Sequence, residues 1–169
     1  MARLHELPLA EHPRMAGSRT VLSMHAGSAQ YVMTLPELAT VQVNRMIVPG
    51  ETRESVVAEL RGLADSLGSA ARFDLTIDPP CYPSWETDPE HPLARSVARA
   101  YEIEAGKAPD WRYTGFGDMN LFSDEAGIPT VMIGPKGDNY HQPNEWVSVS
   151  SISATARLLV DVVREMLPA

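Results

Sequence analysis

A single histidine lies in a polar loop near the end of the sequence. His141 follows an apolar run and a Gly-Pro pair, and Asn144 and Glu145 come shortly after it. An imidazole at such a place can face a cleft and bind a metal ion, with a neighbouring amide or carboxylate orienting its second nitrogen. A lone histidine in a polar loop is, however, more often an ordinary surface residue. The residue type alone therefore favours a surface position for His141 and leaves the metal-binding interpretation open.

A glycine-rich segment precedes an acidic residue at the predicted start of a short helix. Gly115 and Gly117 flank Phe116, and Asp118 follows directly. Glycine allows a ligand to approach the backbone closely, but a plain turn with Asp118 as the helix N-cap fits the same residues. The third glycine of a dinucleotide-binding fingerprint is missing. The sequence also lacks P-loop, G-x-S-x-G, H-E-x-x-H and C-x-x-C motifs, so the commonest nucleotide-binding and serine-hydrolase signatures are not found.

The composition is that of a globular chain and excludes several classes of partner. The chain has 169 residues, of which 44% are hydrophobic, and its net charge is −8. No basic stripe is present, so a nucleic-acid partner is not expected. No window approaches the ~20 apolar residues of a membrane helix, so a membrane partner is not expected either. Cys81 is the single cysteine, which rules out an intrachain disulfide and predicts a cytoplasmic location.

Residues 1–77 are predicted to form an incomplete mixed domain. Thr52 is a suitable N-cap and Gly68 a suitable stop for its one long helix. The alternating and helical patterns predict strands at 19–25, 38–46 and 73–77, a short extended run at 31–35 and a helix at 52–67. A split β-α-β domain runs β-α-β-β-α-β, and the opening strand and helix are not found. We therefore expect the chain to begin in the middle of a domain.

Residues 78–169 are predicted to form a second part, which opens with a proline-rich crossing loop. Asp88 is predicted to cap the first helix, with Pro89 in its first turn, and Gly106 to end it. The continuous apolar run at 128–133 is typical of a buried strand. The remaining predicted segments are an extended stretch at 111–114, a short helix at 118–126, a loop at 134–145 and a last helix from 150 or 151 to 166. Together the two parts predict a mixed α/β fold.

The order of these motifs resembles the carboxy-terminal portion of a known family of two-zinc hydrolases. That family includes aminoacylases, acetylornithine deacetylases, succinyl-diaminopimelate desuccinylases and glutamate carboxypeptidases. The matching segments are Val43–Thr52, Gly115–Asp118, Gly127–Pro135, His141 and Pro143–Val147. The resemblance runs from about Thr20 to the end of the chain. It implies a partial ferredoxin-like lid domain over residues 1–77 and the carboxy-terminal part of a zinc-peptidase-like α/β catalytic domain over residues 78–169.

The resemblance also implies roles for particular residues. His141 matches a histidine that binds one of the two zinc ions. Gly115, Phe116 and Gly117 match a segment whose backbone lies near the substrate, although Gly117 stands where the family has serine or threonine. The family's remaining zinc ligands and its general-base glutamate come from an amino-terminal half with an H-x-D motif and a Glu-Glu pair. None of these motifs is found here, so no catalytic residue is assigned.

Arg45 matches the lid arginine that binds the substrate carboxylate in the same family. The planar guanidinium is suited to holding a carboxylate with two parallel hydrogen bonds. The alternative is an ordinary exposed arginine on a strand. Arg45 shares a strand face with the apolar residues Val41 and Val43, which argues against that alternative.

The family's reaction is hydrolysis of an amide bond next to a free carboxylate, in an N-acyl amino acid or a dipeptide-like substrate. A zinc site needs about three protein ligands for each ion. Because His141 is the only ligand matched in this sequence, we expect the isolated chain to be inactive. The expected partners are a small-molecule carboxylate, the missing amino-terminal half and a second copy bound through the lid. Two other hypotheses stay open: a non-catalytic module for dimerisation or assembly, and an unrelated binding protein.

Overall fold

Two compact units make up the chain in its computed structural model, Met1–Ser84 and Trp85–Ala169. The structure describes residues 2–27, 33, 35–68, 72–112 and 115–167. Both units combine helices with short strands, so the predicted mixed α/β class is confirmed. Among the described residues, no helix is both long enough and apolar enough to cross a membrane.

The first unit contains one antiparallel pair of strands, which brings two arginines together. Strand β1 (Ser18–Ala26) follows a short helix α1 (Ala2–Glu6) and pairs with β2 (Ala39–Met46). The predicted strands at 19–25 and 38–46 are thus confirmed. Their register sets Arg19 directly opposite Arg45. Side chains at directly opposite positions lie on the same face of a sheet, so the two guanidinium groups must share their surroundings.

Helix α2 (Arg53–Ser66) follows β2 and has the predicted signals at both ends. The Thr52 hydroxyl accepts a hydrogen bond from the Ser55 backbone N–H, and the Ser55 hydroxyl accepts one from the Thr52 backbone N–H. This reciprocal capping satisfies two N–H groups that a helix start would otherwise leave unpaired. Gly68 follows the helix with a φ of 81°, a left-handed conformation that glycine adopts without strain. The roles predicted for Thr52 and Gly68 are confirmed.

The second unit has its core between two helices. Its elements are α3 (Pro92–Ala105), α4 (Asp118–Asp124), β3 (Gly137–Asp138), β4 (Trp146–Val147) and α5 (Val149–Met166). Val97 and Ala100 of α3 pack against Leu158 and Val162 of α5, and all four are buried. Residues three or four apart share a helix face, so each of these two pairs lies on one side of its helix. The residues of α5 that the sequence favoured for the core face are instead exposed, so that prediction is wrong: Ile152, Ala156, Leu159, Val163 and Met166.

The start of α3 differs from the prediction. His91 is the N-cap, and its Nδ1 accepts a hydrogen bond of 3.2 Å from the Leu93 N–H. Pro92, and not Pro89, is the first helical residue. The Asp88 carboxylate instead accepts a bond of 2.9 Å from the Glu90 N–H, which makes a separate turn before the helix. The prediction of Asp88 as the cap is therefore wrong, whereas Gly106 ends α3 as predicted, with a φ of 69°.

Two predicted strands are not strands in the structure. The described residues at 73–77 and at 128–133 lie outside any sheet. At Thr130 the Thr87 side chain takes the place of a neighbouring strand: its hydroxyl donates to the Thr130 carbonyl at 2.6 Å and lies 3.2 Å from the Thr130 nitrogen. A strand is defined by hydrogen bonds to a neighbour, so the apolar pattern of a segment cannot by itself create one.

Two other predicted extended segments fall partly outside the described residues. In the segment 31–35 only Met33 and Leu35 are described, and neither is in a strand. In the segment 111–114, residues 113 and 114 are outside the described ranges, and the first two are not in a strand. The structure adds one feature within the predicted loop at 134–145 and just after it, namely the short antiparallel pair β3–β4.

Two ion pairs join α3 to α5 and lower the pKa values of their carboxylates. The Arg157 guanidinium donates to both oxygens of Glu104, at distances from 2.7 to 3.1 Å, and these bonds lower the pKa of Glu104. The hydrogen bond from the Ser96 hydroxyl, at 2.8 Å, and a second one from Arg99 lower the pKa of Glu165. Both interactions favour the ionised carboxylates in the folded state.

We therefore expect the contribution of Arg157 to stability to depend on pH. The folded pKa of Glu104 lies below its ordinary value of 4.5, so the ion pair stabilises the fold above that pH and is lost as the pH falls through the folded pKa. Urea unfolding followed by circular dichroism should show Arg157→Met less stable than the wild type at pH 7, with the difference disappearing in acid. Arg112→Met, which removes an exposed pair with Asp110, is the control. A difference that persists unchanged after Glu104 is protonated in acid would contradict this explanation.

Candidate functional site

The loop that holds His141 has an unusual backbone. It joins the two short strands β3 and β4, and three of its residues other than glycine have positive φ angles: Asn139 at 58°, His141 at 59° and Asn144 at 64°. Positive φ is uncommon for residues with a side chain, because it costs free energy. Such conformations persist only where the surrounding structure holds them, and they concentrate at functional sites. Three of them in one short loop mark this segment as a candidate site.

Hydrogen bonds within the loop hold this backbone in place. The Tyr140 hydroxyl donates to the Gly137 carbonyl at 3.0 Å, and the Asn139 side-chain amide donates to the Asn144 carbonyl at 3.3 Å. Glycine is required at 137, because a Cβ there would lie 2.5 Å from the Trp146 carbonyl oxygen. These bonds and the close approach at Gly137 therefore fix the conformation of the loop.

His141 itself is exposed within this frame. Its backbone N–H donates to Glu145 Oε2 at 3.3 Å. The sequence suggested the Glu145 carboxylate as a partner for the imidazole, but it accepts a hydrogen bond from the His141 backbone instead. The bond fixes where the side chain leaves the backbone while the ring remains accessible to a ligand.

The glycine-rich segment leads directly into α4. Gly117 is the N-cap with an extended backbone, and Asp118 is the first helical residue, so the predicted role of Asp118 as the cap is wrong. The Gly117 N–H donates to the Asn120 Oδ1 at 2.9 Å, and Asn120 is buried. Phe116 is half exposed, at 52%. The side chain of Asn120 thus satisfies the backbone N–H of the N-cap residue.

Arg45 is almost completely buried in the first unit. Its side chain is 6% exposed, and its guanidinium donates to Glu51 Oε1 and to the carbonyl of Met46. Its Nε is buried and finds no hydrogen-bond acceptor among the described residues. The alternative of an ordinary exposed arginine is therefore wrong, and Arg45 is already engaged with a carboxylate of its own chain.

A second glutamate connects Arg45 to the arginine opposite it. Glu59 of α2 binds Arg19 through Oε1, and its Oε2 lies 3.6 Å from Arg45. Arg19 is 4% exposed and also donates to the carbonyls of Leu4 and Leu7 at 2.8 and 3.0 Å. The two arginines and two glutamates, Arg19, Arg45, Glu51 and Glu59, form a buried group with no net charge, called the arginine cluster below.

The sequence alone did not predict the three residues that join Arg45 in the arginine cluster. Arg19 is opposite Arg45 only because of the strand register, and Glu59 reaches both arginines from a helix that follows later in the chain. Glu51 was the one partner with a local signal, since it lies six residues after Arg45 in the turn that precedes α2.

The described residues do not by themselves fit a zinc site. Among them, no group of three or more histidine, cysteine, aspartate or glutamate side chains is arranged to hold a metal ion. A catalytic zinc ion needs about three protein ligands, and His141 offers one imidazole. Arg45 belongs to the first unit, whereas His141 and the segment Gly115–Gly117 belong to the second.

The sequence model of peptidase family M20/M25/M40 matches residues 10–165. The chain belongs to this family. The resemblance that the motifs suggested is therefore confirmed. Members of the M20/M25/M40 family generally bind metal ions such as zinc.

Curated relatives of this M20/M25/M40 chain are similar to it over part of their length. The succinyl-diaminopimelate desuccinylase of Methylorubrum extorquens is 27% identical over 164 residues, which cover 87% of this chain and 42% of that protein. The protein YgeY of Escherichia coli K12 is 31% identical over 121 residues, covering 62% of this chain and 30% of YgeY. The chain thus spans about a third to two fifths of the length of these relatives.

Solved structures of the same family share the fold. An M20 family metallo-carboxypeptidase of Sulfolobus solfataricus superposes with a TM-score of 0.61 at 16% identity, over 88% of this chain and 35% of that one. The aminopeptidase PepT of Bacillus cereus superposes with a TM-score of 0.66 at 20% identity, over 96% of this chain and 43% of that one. At these identities the likeness shows the fold alone.

Proposed function

We propose that this chain is the carboxy-terminal portion of a zinc-dependent amidohydrolase that cleaves an amide bond next to a free carboxylate. The observation that carries the proposal is the loop of His141, with its three positive φ angles and its accessible imidazole. A peptidase family and a desuccinylase relative support the reaction class. The substrate is an N-acyl amino acid or a dipeptide-like molecule.

Each unit has a proposed part in this function. The first unit acts as the lid, in which Arg45 binds the substrate carboxylate. The second acts as the carboxy-terminal part of the catalytic domain, in which His141 is a metal ligand and the backbone of Gly115, Phe116 and Gly117 lies near the substrate. The left-handed backbone of His141 supports its role, because strain of this kind is retained where the local geometry serves a function.

The remaining zinc ligands and the general base are proposed to come from polypeptide outside these 169 residues. One imidazole cannot hold two metal ions, and the chain matches 42% of the desuccinylase relative. A homodimer through the lid unit and a cytoplasmic location stay predictions. No observation favours the alternative of a purely non-catalytic assembly module.

The chain by itself is expected to show no zinc-dependent hydrolysis. We would incubate the purified protein with zinc and a panel of N-acyl amino acids, including N-succinyl-diaminopimelate, and follow the released amine. The rate should equal that of zinc in buffer, because His141 cannot retain the metal ions without further ligands. Turnover that scales with protein concentration, with two zinc ions bound per chain, would overturn the proposed division of ligands.

A further inference from the structure

The carboxylate already bound to Arg45 uses only part of that guanidinium. Glu51 Oε1 accepts from Nη2 of Arg45, while the buried Nε beside it finds no acceptor among the described residues. The Nε and Nη2 hydrogens of an arginine point the same way and together match the two oxygens of one carboxylate. On the edge of Arg45 that is best suited to a carboxylate, Nη2 is therefore bonded and Nε is not.

Glu51 cannot complete this edge, because its second oxygen is engaged elsewhere. Its Oε2 accepts a hydrogen bond of 2.9 Å from the Val48 N–H, within the turn that joins β2 to α2. The same turn contains Gly50, which has a φ of 95° and no atom within 4 Å of the position of an added Cβ. Glu51 is thus divided between Arg45 and the backbone of this turn.

Glu59, in contrast, cannot leave the arginine cluster without a large cost in stability. It neutralises Arg19 and lies 3.6 Å from Arg45, and the two arginines face each other across the strand pair. Removing it would leave two buried like charges side by side, which is strongly unfavourable. If an outside carboxylate binds Arg45, Glu51 is the group that it replaces.

We propose that Glu51 is a resident carboxylate on Arg45, and that the carboxylate of the substrate takes its place by binding the Nε and Nη2 of the guanidinium together. This rests on the role of Arg45 in the proposed function. A buried arginine without a carboxylate would be costly, so only a ligand that carries one can displace Glu51. Glu51 therefore makes the site selective for substrates with a free carboxylate.

Chemical rescue of Glu51→Ala tests this exchange without any hydrolysis. The variant removes the resident carboxylate and leaves space next to Arg45, which acetate can fill. We would measure thermal unfolding of the full chain at pH 7 in sodium acetate and in sodium chloride at the same ionic strength. Acetate should raise the Tm of the variant by roughly 5 °C over chloride once it exceeds its dissociation constant about tenfold. The wild type should show a smaller rise, because acetate must displace Glu51 there.

Two further variants assign the effect and keep the test decisive. Combining Glu51→Ala with Arg45→Met should abolish the acetate effect, whereas Glu54→Ala, at an exposed position of α2, should behave as the wild type. If Glu51→Ala does not fold, Glu51→Ser is measured in the same way, because serine also removes the carboxylate and leaves space for acetate.

A folded Glu51 variant that acetate stabilises no more than chloride would overturn the proposal, and so would an acetate effect that survives Arg45→Met. Glu51 would then be a structural ion-pair partner only. Because the readout is binding, such a result leaves the proposed hydrolase activity standing. Conversely, a positive rescue result would stand even if the assembled enzyme proved inactive, because thermal unfolding does not depend on hydrolysis.

Discussion

Replacing Glu59 with glutamine should lower the free energy of unfolding of the first unit by about 3–5 kcal/mol, the usual cost of breaking a buried ion pair from one side. Glu59 is bound to Arg19 and lies 3.6 Å from Arg45, whose side chains are 4% and 6% exposed. Without its charge, two guanidinium groups that face each other across β1 and β2 lose the group between them. Their repulsion then acts in surroundings that water screens poorly.

Urea unfolding of the full chain would measure this loss. Asp65→Asn is the matched control, because it removes a carboxylate from an exposed position of the same helix and should change stability by no more than about 0.5 kcal/mol. Adding Arg19→Met to Glu59→Gln should recover part of the stability, since one of the two repelling charges is then gone. Equal stability of Glu59→Gln and Asp65→Asn would show that the charge of Glu59 does not stabilise the arginine cluster.

The arginine cluster also shows where sequence reasoning stops. The alternation of residues in β2 argued against a plain exposed arginine, because side-chain direction in a strand follows from sequence spacing, and the Arg45 side chain is buried. The bond between Arg45 and Glu59, in contrast, depends on how a helix and a strand pair meet, and no local pattern contains that information. The nearer partner, Glu51, was within reach of sequence reasoning but was treated only as part of a motif.

Local signals predicted the long helices and the strand pair of the first unit, but two further predicted strands are not strands in the structure. Thr52 and Gly68 were identified because a cap and a left-handed stop need particular residue types at single positions. The start of α3 was misplaced because Asp88 and His91 can both cap a helix, and two prolines stand near by. The run at 128–133 has the composition of a buried strand, but pairing requires a neighbour that its own sequence cannot supply.

His141 was found through its neighbours rather than through its own residue type. The sequence alone favoured a surface histidine, and the flanking motifs changed that interpretation. The structure adds the positive φ angles at Asn139, His141 and Asn144, which depend on the closing hairpin. Asparagine and histidine tolerate this conformation better than most residues, so a weak local signal for it was present.

Replacing His141 with alanine should lower the zinc-dependent activity of a complete enzyme at least about 100-fold, since loss even of the groups that orient a zinc ligand costs 10–100-fold. A suitable complete enzyme is a chimera in which residues 10–165 of this chain replace the matching part of the Methylorubrum extorquens desuccinylase. Zinc content by mass spectrometry and turnover of N-succinyl-diaminopimelate would both be measured, because loss of a ligand should reduce them together.

The control for this chimera is His25→Ala, which removes an exposed histidine from β1 in the first unit. It should keep both zinc and activity. The loop of His141 is fixed by the bonds of Tyr140, Asn139 and the His141 backbone, none of which uses the imidazole. His141→Asn, which suits a φ of 59° better than alanine, should give the same loss without straining the loop. A chimera that is folded and active but indifferent to His141→Ala would show that the exposed imidazole holds no metal, and that its strained loop serves another purpose.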